Sequence, residues 1–466
     1  MTAPKQLDRS IIEGPIGTAV WKLAWPTMLQ NVIGGLQGMI DHAMVGHYVG
    51  YAGNAAIGVS WQIFLVVMVF ISSLFTGMGV LVARFIGAGD IAKANRTVYQ
   101  AFLTSTVISF AILAPLGYFL APSLLEFVRA TPAVRAEALP YLRIMFVFSF
   151  GMLTFFMLGG ALRSAGDAKT PLQLGIALTV LNIVLNVIFI RGLGPIPAFG
   201  TAGAAMGTVI AGGLVAIFAF QRLMSGKWVV GFLHHEGFQP DWSIIRSLFK
   251  IGLPTGFQGV AMNVGGVMLL RFIGSLDQSA EAQAAYAVGY GQLFSLITWT
   301  SVGLMGATAA IVGQNIGAKQ PERAVVAVHH AARIGLSAAA VLAVLFVAFP
   351  RVLLGAFGMT DPAAVAIGVR LLQFLSVSGF FITAALTYTG GLQGAGDTKS
   401  PFYISVLSQI ILPLSLLTVL GTFHKVEPTD IWIAIVIGHA TRCVLSVLRF
   451  RQGRWRSIAV DLTAGP

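Results

Sequence analysis

The sequence predicts an all-α integral membrane protein of about twelve transmembrane helices, built as two parallel six-helix repeats. Three observations predict it: the scarcity of charge, the spacing of long apolar stretches, and the recurrence of three segments at nearly one offset. Of the 466 residues, 56% are hydrophobic and only 10% are charged, whereas a soluble chain carries roughly 25% charged residues. Mean hydropathy is +0.83, which leaves too few polar side chains to cover a water-facing surface. The net charge of +12 does not point to nucleic acid, because Lys and Arg sit in short loops between apolar stretches. The single cysteine, Cys443, permits neither an intrachain disulfide nor a cysteine metal cluster.

The helices follow in order. A helix needs about 20 apolar residues to cross the hydrocarbon core. Spans are expected at 20–47, 57–83, 98–121, 140–162, 171–193, 201–224, 247–274, 284–312, 326–349, 369–391, 401–422 and 431–449. The polar first twenty residues lack a small-residue cleavage site after an apolar core, so no secretory signal is expected and the first span targets the chain itself. With both termini inside, most of the 29 Lys and Arg fall on the inner side, including Arg84, Lys93, Arg96, Lys319, Arg323 and Arg449, as the positive-inside rule requires. The expected organisation is a cytoplasmic segment (1–19), an N-lobe of six spans (20–224), an inner linker (225–245), a C-lobe of six spans (246–450) and a basic cytoplasmic tail (451–466). The membrane is expected to be the plasma (bacterial inner) membrane, and the chain a monomer.

The halves are related by sequence. KLAWPTMLQNVIGG (22–35) resembles KIGLPTGFQGVAMN (250–263), which sets Pro26 opposite Pro254 at an offset of 228. VARFIGAGD (82–90) matches VGQNIGAKQ (312–320) and GGALRSAGDAKTP (159–171) matches GGLQGAGDTKSP (390–401), both at 230. Three matches in order make an internal duplication. Six spans per half is an even number, so the repeats are parallel, and transport sites characteristically lie at the interface of such repeats. The Gly, Asp and Lys content of the matched loops suits turns and helix caps, so Asp167 and Asp397 are expected to be structural.

One acid lies in the membrane. Of 17 Asp and Glu, all but one fall in termini, loops or span ends; Asp41 is inside span 1. An acid at that depth costs about 2.5–3.5 kcal/mol even on mild scales, and such residues mark ion pathways and proton relays. Asp41 lies roughly 12 Å below the outer end of span 1 at 1.5 Å per residue. Asn182 and Asn186, four residues apart on one face of span 5, and Thr208 on span 6 fall at similar depth. These four residues are the expected ion-coupling set. The second half lacks it: Leu269, Leu412, Leu416 and Gly438 stand at the corresponding positions. Pro26 frees a carbonyl inside span 1 and is a candidate hinge. Gln37, one turn before Asp41, together with Met206, Met262 and His439, is expected to line a substrate cavity, Met supplying adaptable apolar surface. Arg442, also in span 12, is a second intramembrane polar group.

GQNIGAKQ fails the GxxxxGK[ST] pattern, and GAGD follows no strand, so neither ATP hydrolysis nor dinucleotide binding is expected. No HExxH, CxxC or GxSxG occurs. No cofactor, metal or enzymatic activity is expected, and uphill transport would draw on an ion gradient.

On these residues the chain resembles the multidrug and toxic compound extrusion (MATE) family. The resemblance is carried by Pro26 through MIDHAMVGH, VARFIGAGD, LRSAGDAKTP, the LNIVLN pair, GTAGAAMGT, GLPTGFQ and GGLQGAGDTKSP, in order along the whole chain. It implies two six-helix lobes in a V shape, alternating access, and efflux of small organic, often cationic, compounds by antiport with H⁺ or Na⁺. It maps the first-helix acid onto Asp41, the span 5 pair onto Asn182 and Asn186, and the span 6 threonine onto Thr208. One bacterial branch of the family also carries acids in spans 7 and 10; here Met262 and Asn263 stand in that part of span 7 and span 10 has no acid. The chain is similar to the branch that relies on the N-lobe acid. The alternative is a flippase for a lipid-linked sugar from the same wider superfamily.

Overall fold

The computed structural model describes residues 9–232 and 239–458. Residues 1–8 of the expected N-terminal segment, 233–238 of the linker and 459–466 of the tail lie outside the described residues. The described chain is helical almost throughout. Its long helices are α1 (Ile16–Tyr48), α2 (Tyr51–Gly87), α3 (Ile91–Phe127), a broken α4 (Pro132–Val147 and Phe150–Ser164), α5 (Lys169–Arg191) and α6 (Gly200–Met224). They continue as α7 (Trp242–Gly274), α8 (Ser279–Gly317), α9 (Pro321–Ala348), α10 (Pro362–Gly394), α11 (Lys399–Phe423) and α12 (Pro428–Arg451). Ten of the twelve expected spans fall within these helices, that at 140–162 crossing the break in α4, while the span expected at 171–193 runs past Arg191 and that at 326–349 past Ala348.

Among the described residues, ten helices are long and apolar enough to cross a membrane, and eleven if the two pieces of α4, bent by 53°, count as one. The remaining helix, α1, has 33 residues and is long enough at 1.5 Å per residue. Its composition sets it apart: Lys22, Asn31, Gln37, Asp41, His42 and His47 interrupt its apolar character.

The matched loops are turns and caps, for visible reasons. Gly89, Gly166 and Gly396 have φ of 80°, 98° and 89°, a region glycine occupies without a Cβ penalty. Asp90 accepts the Lys93 amide at 3.0 Å, Asp167 the Thr170 amide at 3.0 Å, and Asp397 the Ser400 amide at 3.1 Å. Each carboxylate thereby satisfies a free N–H at the start of the next helix. Asp397 also accepts from Arg449 Nη2 at 2.8 Å, which ties the start of α11 to the end of α12.

The helices assort into two compact units, Val32–Leu253 and Ser10–Asn31 with Pro254–Val460, apart from the chain ends. In the first, α5 packs along α6, and α2 and α6 pack on α4. The first part of α7 belongs to this unit: a Cβ on Gly77 of α2 would stand 2.2 Å from the Leu248 carbonyl oxygen, and one on Gly252 2.1 Å from that of Ser73. In the second unit, α10 packs between α8, α9 and α12, around a core containing Phe294, Phe346, Leu371 and Trp432. The first part of α1 belongs here: a Cβ on Gly303 of α8 would stand 2.6 Å from the Thr27 carbonyl oxygen. Arg323 of α9 donates to the carbonyls of Ile11, at 3.2 Å, and Gly14. The first and seventh helices thus each begin in one unit and end in the other.

Among the described residues, three helices contain a π-helical turn, at Ile108–Leu113, Ala287–Leu293 and Leu407–Ile411. Such turns insert one residue into the i→i−4 ladder and often accompany functional sites.

Candidate functional site

The site of the first unit grows from three helices. α1 presents Asp41 seven residues before its C-terminal end, roughly 10 Å along the axis. α5 presents Asn182 and Asn186 on one face, both 0% exposed. α6 presents Thr208 opposite them. Asn186 Nδ2 donates to Asp41 Oδ1 at 2.7 Å and to Asn182 Oδ1 at 3.2 Å. Asn182 Nδ2 donates to Thr208 Oγ1 at 3.0 Å, and that hydroxyl donates to the Ala204 carbonyl at 3.0 Å. The four residues therefore form one hydrogen-bonded chain from α1 through α5 to the backbone of α6. Buried polar groups must find partners, and here they find them in one another.

A close approach of α5 and α6 makes this possible. A Cβ on Gly203 would stand 2.4 Å from the Phe189 carbonyl oxygen, and one on Gly207 2.0 Å from Asn186 Oδ1. Gly203 and Gly207, four residues apart, are the small-residue seam that lets two membrane helices touch along their backbones. Asn186 Oδ1 is buried with no donor, so the amide next to Asp41 keeps one acceptor in reserve. Tyr141 of α4, buried, lies within electrostatic reach of Asp41. Asp41 itself is half-buried.

A second rung joins α1 to α5. Thr179 Oγ1 donates to Gln37 Oε1 at 2.9 Å, so Gln37 serves the helix contact one turn before Asp41. His42 turns away from Asp41, and its Nδ1 pairs with Asn54 Oδ1 at 2.7 Å on α2. Met206 on α6 is half-buried in the first unit, and Met262 on α7 is half-buried in the second. His439 is 2% exposed, hydrogen-bonded to Ser378 and stacked on Phe294 at 5.7 Å; it is a packed side chain of the second unit, not a group on an open wall. Pro26 lies inside α1, which continues through it, five residues before the helix passes from one unit to the other. Sequence reasoning did not single out Tyr141, Thr179 or Gly207. The Gly-x-x-x-Gly spacing at 203 and 207 was the available signal for the last.

A bundle of apolar helices built twice over, with one intramembrane carboxylate held by polar groups of neighbouring helices, defines an integral membrane transporter. The MatE family profile matches residues 26–188 and again 254–417, the two halves in turn. The chain belongs to this family, the multidrug and toxic compound extrusion transporters. It is 27% identical over 455 residues to the probable multidrug resistance protein NorM of Thermotoga maritima, covering 94% of this chain and 93% of that one. It is 25% identical over 440 residues to the multidrug resistance protein MdtK of Pectobacterium atrosepticum, covering 92% and 94%. Among solved structures, an outward-facing multidrug resistance MATE family transporter superposes with a TM-score of 0.89 at 20% identity, over 97% of this chain and 100% of that one.

Proposed function

We propose that the protein is a secondary active antiporter that exports small organic, often cationic, compounds in exchange for H⁺ or Na⁺, with Asp41 as the coupling carboxylate. The observation that carries this reading is the 2.7 Å bond from Asn186 to Asp41 at the head of the polar chain. A carboxylate accepts such a bond strongly because it is charged. Protonation removes the charge, weakens the Asn186 bond and so loosens α1 from α5. Sodium would act by competing for the same oxygens. Asn182 and Thr208 hold Asn186 in place, and Gln37 fixes the turn of α1 below. Pro26, whose missing N–H leaves a carbonyl free, is the hinge about which the outer part of α1 moves. The family's extrusion of toxic compounds supports the direction of transport.

One elementary charge crossing 100 mV releases about 2.3 kcal/mol, enough for a roughly fifty-fold substrate gradient. Both termini and the linker 225–245 face the cytoplasm in this reading, the lobes being 20–224 and 246–450, and the protein works as a monomer in the inner membrane. The abundance of Lys and Arg on that side supports the orientation.

The test is efflux of a fluorescent cationic dye from energised cells, wild type against Asp41→Asn at matched expression, with an uncoupler and with Na⁺ withdrawn. Coupled efflux is expected in the wild type and absent in the variant. Uncoupler sensitivity without Na⁺ dependence selects protons. Undiminished coupled efflux in Asp41→Asn would remove Asp41 from the coupling role.

A further inference from the structure

On the surface of the second unit, a groove of about 390 Å³ runs between the start of α11 and the end of α12. Helix periodicity builds its walls: Ser400 and Tyr403 share one face of α11, and Leu445, Leu448, Arg449 and Gln452 one face of α12. Leu445 and Gln452 are seven residues apart, so the groove is roughly 10 Å long. Tyr403 is 66% exposed and Leu448 51%, and only 22% of the apolar stretch of α11 is buried inside the protein. The groove therefore opens on the surface that a membrane-spanning helix turns to lipid.

Its polar residues gather at one end, where α11 begins and α12 stops. Arg449 Nε and Nη2 donate to Asp397 Oδ2 at 3.0 and 2.8 Å, and Nη1 to Gln452 Oε1 at 3.2 Å. A guanidinium has five N–H groups, so two remain, on a side chain that is 24% exposed. Asp397 is held in its capping role by the amide and hydroxyl of Ser400. The Gln452 amide adds further N–H donors. Lys399, beside Ser400, is exposed and has no ion-pair partner among the described residues. Two cations, Arg449 and Lys399, thus meet one anion, Asp397, and this end is left positive. From it the apolar walls, Tyr403, Leu445 and Leu448, lead away along the helices. The repeat counterpart of Arg449, at the offset of 230, is Ala219, so the first half has no guanidinium at this place.

We propose that this groove holds an anionic phospholipid of the surrounding bilayer, its phosphate on Arg449, Gln452 and Lys399 and one acyl chain along Tyr403, Leu445 and Leu448. Guanidinium N–H groups match phosphate oxygens, and a basic pocket between membrane helices attracts an anionic headgroup. Bound there, the headgroup bridges the first turn of α11 and the end of α12, alongside the Asp397–Arg449 pair. The inference goes beyond the efflux reading. It involves neither Asp41 nor an ion gradient, so each stands or falls without the other.

Native mass spectrometry of the purified, delipidated full-length protein reads the affinity for the first bound lipid, titrated in detergent with phosphatidylglycerol or with phosphatidylcholine of the same acyl chains. The two lipids share phosphate and chains, and the choline adds a cation that would face Lys399. The wild type is expected to bind phosphatidylglycerol about tenfold more tightly. Lys399→Gln combined with Gln452→Glu removes a cation and sets an anion in the groove, while leaving Arg449 its acceptors. It is expected to bring the two affinities within about twofold, through weaker binding of phosphatidylglycerol. Should the double variant fail to fold by its melting curve, Lys399→Gln alone carries the test, with about threefold weaker binding of phosphatidylglycerol expected. Equal affinities in the wild type would overturn the proposal. A preference surviving undiminished in the variants would overturn it too, placing the lipid elsewhere on the basic surface. Displacement of phosphatidylglycerol by inorganic phosphate at equal concentration would overturn the lipid assignment and leave a site for free anions.

Discussion

Asn186 uses both amide protons, one on Asp41 Oδ1 and one on Asn182 Oδ1, so its removal strands two acceptors at once. Thr208 receives only the far end of the chain. Leaving a buried polar group unpaired costs about 1–3 kcal/mol. Asn186→Ala is therefore expected to slow efflux about tenfold or more, and Thr208→Ala by less, both read as initial dye-efflux rates at equal expression. Equal losses would mean that Thr208 acts directly and not through the asparagines. Lys319 illustrates a residue whose role is conformational. It occupies φ 59° at the position where the first repeat has Gly89, a left-handed conformation that costs a non-glycine residue about 1–2 kcal/mol. Lys319→Gly is expected to raise stability by about 1 kcal/mol, seen as a higher melting temperature in detergent. At this scale the sequence was informative wherever polarity stood against an apolar background. Asp41, Asn182, Asn186 and Thr208 were visible for that reason, and simple rise per residue placed them at one depth. Tyr141 and Gly207 were not, because a tyrosine or a glycine inside an apolar helix is ordinary until its neighbour is known.

Helix pairs carry the next level of the argument. The α5–α6 contact depends on Gly203 and Gly207, and at Gly207 a Cβ meets the side chain that holds Asp41. Overpacking a close contact costs typically about 1–3 kcal/mol. Gly207→Ala is expected to reproduce the efflux defect of Asn186→Ala while still reaching the membrane, since its severe overlap is with the side-chain amide, the nearest backbone atom, the Asn186 nitrogen, standing at 3.1 Å. Gly203→Ala, aimed at the Phe189 carbonyl, is expected to reduce the folded yield as well, measured by fluorescence-detected size exclusion. The twelve helices themselves were legible from apolar length. Their π-turns at 108–113, 287–293 and 407–411 were not, because an inserted backbone residue leaves the apolar pattern intact. The same blindness misplaced His439: an imidazole in an apolar span reads as a cavity group, yet a serine and a phenylalanine enclose it.

The duplication organises the whole molecule, and the structure adds to it an exchange that repeats do not announce. Pro26 and Pro254 mark equivalent places in α1 and α7, and near each of them the helix leaves one compact unit for the other. The apolar pattern of these half-helices says that they are buried, but not in which unit, since every neighbouring helix offers the same aliphatic surface. What fixes the partner is backbone proximity at glycine: Gly77 against Leu248 in the first unit and Gly303 against Thr27 in the second. Both contacts put a carbonyl where a Cβ would go, so neither can yield by turning a side chain. Gly77→Ala and Gly303→Ala are each expected to cost about 1–3 kcal/mol, measured as a fall in melting temperature in detergent. Since the two sites lie in separate units with no shared neighbours, the double variant should lose the sum of the two to within about 0.5 kcal/mol. A double loss well short of the sum would mean that releasing one half-helix already loosens the contact of the other.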